Sequence, residues 1–180
     1  RYLGQKDDQR RRDFADGIRN EMPHETFLDL AAWYYDLGLS KDARTLLELA
    51  PPQGEVLYWL AFVQDSLKDP AAPETLRRAD AASPRLVFPF RSESAPVFEW
   101  AMRRTDNWRP KYYLALIHWN RNDLARAREL LAQCGAAPDF APFYAGRGKA
   151  FEPVARDQAL KDLQLAAQLD PKEWRFGKLL

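Results

Sequence analysis

Proline, glycine and acidic residues break this 180-residue chain at short, regular intervals. Breaks fall at Met22-Pro23, Gly38-Leu39-Ser40, Pro51-Pro52 with Gly54, and Asp69-Pro70. They continue at Pro84 and Pro89, Asn107 to Pro110, Gly135 to Pro138, Glu152-Pro153 and Asp170-Pro171. Proline cannot continue a helix but suits its first turn, and Asp, Ser and Asn supply N-caps. Asp69 with Pro70, Ser92 or Ser94 with Pro96, and Asp170-Pro171-Lys172-Glu173 therefore read as helix starts. The pieces between breaks are about 10–15 residues long, a normal helix length. Short helices joined by short turns imply helical hairpins packed side by side.

Composition agrees. There are 26 Ala and 24 Leu against 5 Val, 2 Ile and 4 Thr. Straight-chain and small residues keep their freedom in a helix, whereas β-branched residues favour strands. The fold class is therefore all-α. A net charge of +1 gives no general electrostatic case for nucleic acid or an anionic membrane, so neither is expected as a partner. One cysteine, Cys134, excludes an internal disulfide and multi-cysteine metal sites. No apolar run reaches the ~20 residues of a membrane span, and no signal peptide is visible. The expected compartment is the cytoplasm. The chain starts at Arg1 without methionine and ends at Leu179-Leu180, so it is expected to be a fragment of a longer protein.

The hairpins repeat. Phe27, Leu30, Ala31, Tyr34, Gly38, Ala43, Leu47 and Ala50 form a first copy. Leu57, Leu60, Ala61, Leu76, Ala79 and Pro84 form a second, with a turn region off register by about one residue. A third reads Leu114, Ala115, His118, Asn122, Ala127, Leu131, Cys134; a fourth reads Tyr144, Gly148, Phe151, Ala159, Leu163, Ala166, Pro171. Small residues such as Ala31 and Ala43 let paired helices approach, and large ones fill the space between hairpins. This pattern resembles the tetratricopeptide repeat (TPR), a helix–turn–helix unit of about 34 residues. The resemblance implies an α–α superhelix, a TPR-like solenoid. The competing architecture is an α-solenoid of another hairpin type.

The expected layout is a single repeat domain over 1–180. Its repeats lie near 24–53, 54–84, 107–138 and 139–171, with an insert at 85–106 and a C-terminal helix at 172–180. The insert reads as a degenerate half-repeat with one helix, and residues 7–20 as the second helix of an earlier repeat. Tyr112-Tyr113-Leu114-Ala115-Leu116 and Phe88-Pro89-Phe90-Arg91 also resemble the helical-repeat C-terminal region of large bacterial proteins whose N-terminal half looks like a sugar-processing enzyme.

No catalytic constellation is apparent, and no cofactor or metal is expected. Gly146-Arg147-Gly148-Lys149 lacks the length and the Ser or Thr of a phosphate loop, and reads as a close helix contact. His118 and Cys134 occupy core-like repeat positions, as packed residues. Asp7-Asp8, Asp13-Asp16 and Glu93-Glu99 read as solvated carboxylates, and Arg10-Arg11-Arg12 as part of a salt-laced helix.

In the tetratricopeptide family the first helices line a concave groove. Carrying its groove positions over gives Tyr35, Tyr58, Phe62, Asp65, Tyr112, Leu116, Trp119 and Asn120. The Lys/Asn pattern of the family's carboxylate clamp is absent, and aromatic residues stand instead. The resemblance thus implies a non-enzymatic scaffold that binds a protein or peptide segment in an aromatic groove. The alternative is an accessory module supporting an upstream, carbohydrate-active catalytic domain of the same chain.

Overall fold

A computed structural model describes residues 8–178. The helices are α1 (Asp8–Gly17), α2 (Pro23–Asp36), α3 (Ser40–Leu49), α4 (Gly54–Ser66), α5 (Ala72–Ala81), α6 (Ala95–Met102), α7 (Trp108–Asn120), α8 (Leu124–Gln133), α9 (Ala141–Phe151), α10 (Arg156–Leu169) and α11 (Trp174–Gly177). A 3-10 turn, Ser92–Ser94, precedes α6. The described residues contain no strand, and the fold class is all-α. Asp7, the side chains of Asp8 and Arg11, and the terminal residues Arg1, Leu179 and Leu180 lie outside the description.

The chain forms two compact units. The first holds α1 to α6, with residues up to 87 and 93–104. In it α2 pairs with α3 and α4 with α5, α3 joins the two hairpins, and α6 lies against α4. The second holds residues 88–92 and those from 105 onward, with α7 to α11. Here α7 pairs with α8, α9 pairs with α10, α8 meets α9, and α11 rests on α10.

The repeat is visible in the backbone of the turns. Gly38 (φ +77), Lys68 (φ +58) and Asn122 (φ +63) each close a first helix in the left-handed region. Each makes the same pair of capping bonds. Gly38 N–H donates to Tyr35 O and Leu39 N–H to Tyr34 O; Lys68 N–H donates to Asp65 O and Asp69 N–H to Gln64 O; Asn122 N–H donates to Trp119 O and Asp123 N–H to His118 O. These are Schellman-type ends. Glycine takes this conformation without penalty, while Lys68 and Asn122 occupy it against their side chains. First-helix positions thus recur 30 residues apart from Gly38 to Lys68, and the one-residue offset expected in the second copy lies after Lys68.

Second helices repeat their core in the same way. Ala43, Leu46, Leu47 and Ala50 are buried, as are Ala72, Thr75, Leu76 and Ala79 at an offset of 29. Ala127, Leu130, Leu131 and Cys134 follow, then Ala159, Asp162, Leu163 and Ala166. The first-helix anchors Ala31, Ala61 and Ala115 have no exposed surface. At Gly148 an added Cβ would stand 3.0 Å from both the Ala159 carbonyl oxygen and Leu163 Cγ. Only glycine lets α9 approach α10 that closely, as the sequence pattern predicts.

Three expected caps are displaced. Ser94 makes no capping bond; its hydroxyl is engaged in the interior. Asp69 Oδ1 accepts from Ala71 N–H, one turn ahead of α5, so Pro73 rather than Pro70 sits in the helix's first turn. At the C-terminus Glu173, not Asp170, caps the last helix, accepting from Arg175 N–H. By contrast Asn107 caps α7 as expected, accepting from Arg109 N–H.

Candidate binding face

In the first unit an aromatic row crosses three helices. The Tyr35 ring of α2 lies 5.2 Å from Phe62 of α4, and Phe62 lies 5.7 Å from Trp100 of α6 in an edge-on arrangement. Trp59 stands behind the row, edge-on to both Tyr35 and Phe62 at 6.1 Å. Such tilted and T-shaped pairs match the quadrupoles of the rings. Tyr35 and Phe62 are half-buried, while Trp59 and Trp100 are buried. The row therefore leaves Tyr35 and Phe62 partly open to solvent beside a floor of two buried indoles.

Polar groups fix that floor. Trp59 Nε1 donates to Ser94 Oγ at 2.9 Å, and Ser94 Oγ donates to the buried Glu55 carboxylate at 2.7 Å. A buried carboxylate needs such partners to offset its lost hydration. Ser94 thereby ties the segment before α6 to α4. At the other end Asp65 Oδ2 accepts from Trp100 Nε1 and from Arg104 Nη2, both at 2.8 Å. The Arg104 guanidinium also covers the Trp100 ring, 4.7 Å from its centroid. Asp65 and Arg104 are both partly exposed, so the row ends in an accessible acid–base pair.

Two expected groove residues are corrected. Tyr58 has no exposed surface. Its ring packs edge-on against Phe98, and its hydroxyl donates to Asp80 Oδ1 at 2.6 Å. The inserted helix α6 brings Phe98 onto it, closing what would be a groove position. In the second unit Tyr112 is also buried, 5% exposed, and surrounded by Trp108, Phe140 and Phe143. Helix α9 supplies Phe143 and so covers it. Burial drives the Tyr112 phenol well above its ordinary value, with the neighbouring Cys134 adding to the rise.

Tyr35 and Phe62 are in ring contact, and Asp65 lies one turn beyond Phe62 on α4; all three are half-buried. Leu116 and Trp119 are half-buried on α7 and Asn120 is exposed at its end. Trp100 and Arg104, which complete the row, fall inside the expected insert and carry no repeat signature.

His118, Cys134 and Arg147 have structural partners. His118 Nδ1 lies 3.0 Å from Asp123 Oδ2. Cys134 is buried, its thiol within reach of the Leu130 and Trp108 carbonyls. Burial pushes that thiol up to about 12, while the charges of Lys111 and Arg147 pull the other way. Arg147 donates from Nε and Nη2 to both oxygens of Asp162. Asp13, Asp16, Glu93 and Glu99 are exposed. Among the described residues no three His, Cys, Asp or Glu side chains gather as a metal site, and no helix is long and apolar enough to cross a membrane.

No protein-family model and no curated protein sequence matches this chain. Solved structures similar to it include MamA (41-end) from Desulfovibrio magneticus RS-1, at 18% identity, covering 85% of this chain and 78% of that one with a TM-score of 0.43. A thermophilic TPR protein of Thermus thermophilus matches at 22% identity over 85% of this chain and 94% of its own, with a TM-score of 0.40. YrrB, a TPR protein with an unusual peptide-binding site, matches at 17% identity over 87% and 75%, with a TM-score of 0.38. The tetratricopeptide-like character of this chain is carried by its own residues: the threefold left-handed turn and the fourfold small-residue core.

Proposed function

We propose that the chain is a non-enzymatic interaction scaffold whose aromatic row in the first unit binds an extended peptide segment. The observation that carries this reading is the continuity of Tyr35, Phe62 and Trp100 across three helices, with Asp65 and Arg104 at its end. Half-buried rings on a rigid indole floor offer large contact area at little entropic cost. A proline or aliphatic side chain of the ligand lies on the Tyr35 and Phe62 rings. The Asp65–Arg104 pair orients it by hydrogen bonds at the rim, where charges set specificity more than affinity.

The test is selection of a random displayed-peptide library on the wild-type protein, with counter-selection on a Tyr35→Ala/Phe62→Ala variant of matched Tm. Peptides enriched on wild type and not retained by the variant support the row as the binding surface. If no peptide is enriched, the row is an internal packing surface, and the accessory-module reading within a longer chain replaces the scaffold.

A further inference from the structure

The internal repeat singles out an exposed apolar stripe on the first unit. Trp33 of α2 is equivalent to Val63 of α4 and Ile117 of α7, at the same distance from the anchors Ala31, Ala61 and Ala115. Val63 and Ile117 are 0% and 1% exposed, whereas Trp33 is 59% exposed. The neighbouring position repeats the contrast, since Leu30 is half-buried where Leu60 and Leu114 are buried. One turn further along, Leu37 is 56% exposed. Leu30, Trp33 and Leu37 are spaced three and four residues apart, so they form one stripe along α2.

Within the first unit, the neighbours of α4 and α2 account for the contrast between Val63 and Trp33. Within the first unit α4 packs against α2 and α3 before it, α5 beside it and α6 after it. Helix α2 has α3 beside it and α4 after it. Helix α1 reaches this end through Phe14 on Phe27, 6.2 Å between centroids, and leaves Trp33 open. The neighbour that α4 has and α2 lacks is a preceding first helix laid along it, as α2 lies along α4. The stripe thus lies where α4, at the same repeat position, is covered by a helix.

Charge selects which helix. Helix α2 carries Glu25, Asp29 and Asp36 and neither Lys nor Arg. Asp29 and Asp36 are exposed one turn before and after Trp33. We infer that the Leu30–Trp33–Leu37 stripe docks a basic amphipathic helix of a partner protein, its apolar face on the stripe and its Lys or Arg side chains over the acidic margins.

The probes are two stapled helical peptides of α2's length, 14 residues, with one apolar Ala/Leu/Phe stripe and either Lys or Glu flanks. Binding to the full chain is measured by calorimetry at low salt, and the protein alone is run by analytical ultracentrifugation. The inference expects the Lys-flanked peptide to bind at least ~10-fold more tightly than its Glu counterpart, a difference of about 1.4 kcal/mol. It expects Trp33→Asp, and separately Leu37→Gln, to weaken that binding at least ~10-fold with Tm unchanged, because both side chains are exposed. Equal binding of the two peptides, no binding of either, or full binding by both variants overturns it. A self-dimer dissociated by Trp33→Asp also overturns it, by giving the stripe to a second copy.

Discussion

Arg147 and Asp162 form a two-pronged ion pair inside the fourth hairpin, Nε to Oδ2 at 2.8 Å and Nη2 to Oδ1 at 2.7 Å, with side chains 10% and 2% exposed. Their repeat positions make the pair informative. Arg147 stands where the other first helices have Leu30, Leu60 and Leu114, and Asp162 where the other second helices have Leu46, Thr75 and Leu130. An uncharged slot has become a charged pair. Burial works against the guanidinium's charge, but the Asp162 hydrogen bonds and charge outweigh it and hold Arg147 above its ordinary value. Removing one partner strands the other, so Asp162→Leu or Arg147→Leu alone costs about 3–5 kcal/mol. Restoring the repeat with both leucines together is expected to be neutral or stabilising by about 1–4 kcal/mol. The Gly135 carbonyl that Arg147 Nη1 also binds lies in an exposed turn and can turn to water. Urea unfolding of the two single variants and the double variant checks this; a double variant as unstable as either single one contradicts it.

Two glycines of α9, two residues apart, are expected to respond in opposite directions. A Cβ at Gly146 meets nothing within 4 Å, so Gly146→Ala gains helix propensity, about 0.5–1 kcal/mol. At Gly148 the same Cβ presses on the Ala159 backbone oxygen, which cannot swing aside. Gly148→Ala must part α9 from α10, at a cost of about 1–3 kcal/mol. Thermal melts of the two variants should therefore move to either side of wild type.

What the sequence makes legible are features that repeat. Ala31, Ala43, Ala61 and Ala115 are fully buried and Gly148 sits at a close helix contact, and recurrence of small residues at these places in four copies exposes the pattern. What it hides are features set by a neighbour without a pattern. Helix α4 is apolar from Val56 to Val63, so no periodicity separates Tyr58, which faces Phe98, from Phe62, which faces outward. Trp100 and Arg104 join the binding row only because α6 lies along α4. Glu55 reads as an ordinary first-turn acid until Ser94, 39 residues on, is found against it.

The reassignment of Tyr58 can be measured directly. Its hydroxyl donates to Asp80 at 2.6 Å from a fully buried ring. Tyr58→Phe loses a hydrogen bond to a charged acceptor, about 1.5–3 kcal/mol, and Tyr58→Ala adds a cavity, for about 3–5 kcal/mol in all. Tyr35→Ala, at a half-buried ring, is expected to cost clearly less than Tyr58→Ala. Denaturant midpoints for the three variants test the division between interior and binding face; equal losses at Tyr35 and Tyr58 would return Tyr58 to the surface.

Alkaline pH probes the second unit through Cys134. Burial, partly offset by Lys111 and Arg147, raises its thiol from 9.0 to about 12. Below about pH 8 the thiol is neutral folded and unfolded, and pH has no effect through it. Between pH 9 and about 12 the unfolded chain ionises first and so binds fewer protons, and stability falls as pH rises. The slope approaches about 1.4 kcal/mol per pH unit at most. Tyr112, also raised by burial, acts in the same direction from a higher starting point. The expected outcome is a urea midpoint that declines from about pH 8 to about pH 10.5, with a shallower decline in Cys134→Ala. Native protein should also resist iodoacetamide at about pH 8 and react once unfolded, because the thiolate is the nucleophile and burial withholds it. Prompt alkylation of the folded chain, or a pH slope untouched by Cys134→Ala, would show that the thiol is not held neutral between Trp108 and Leu130.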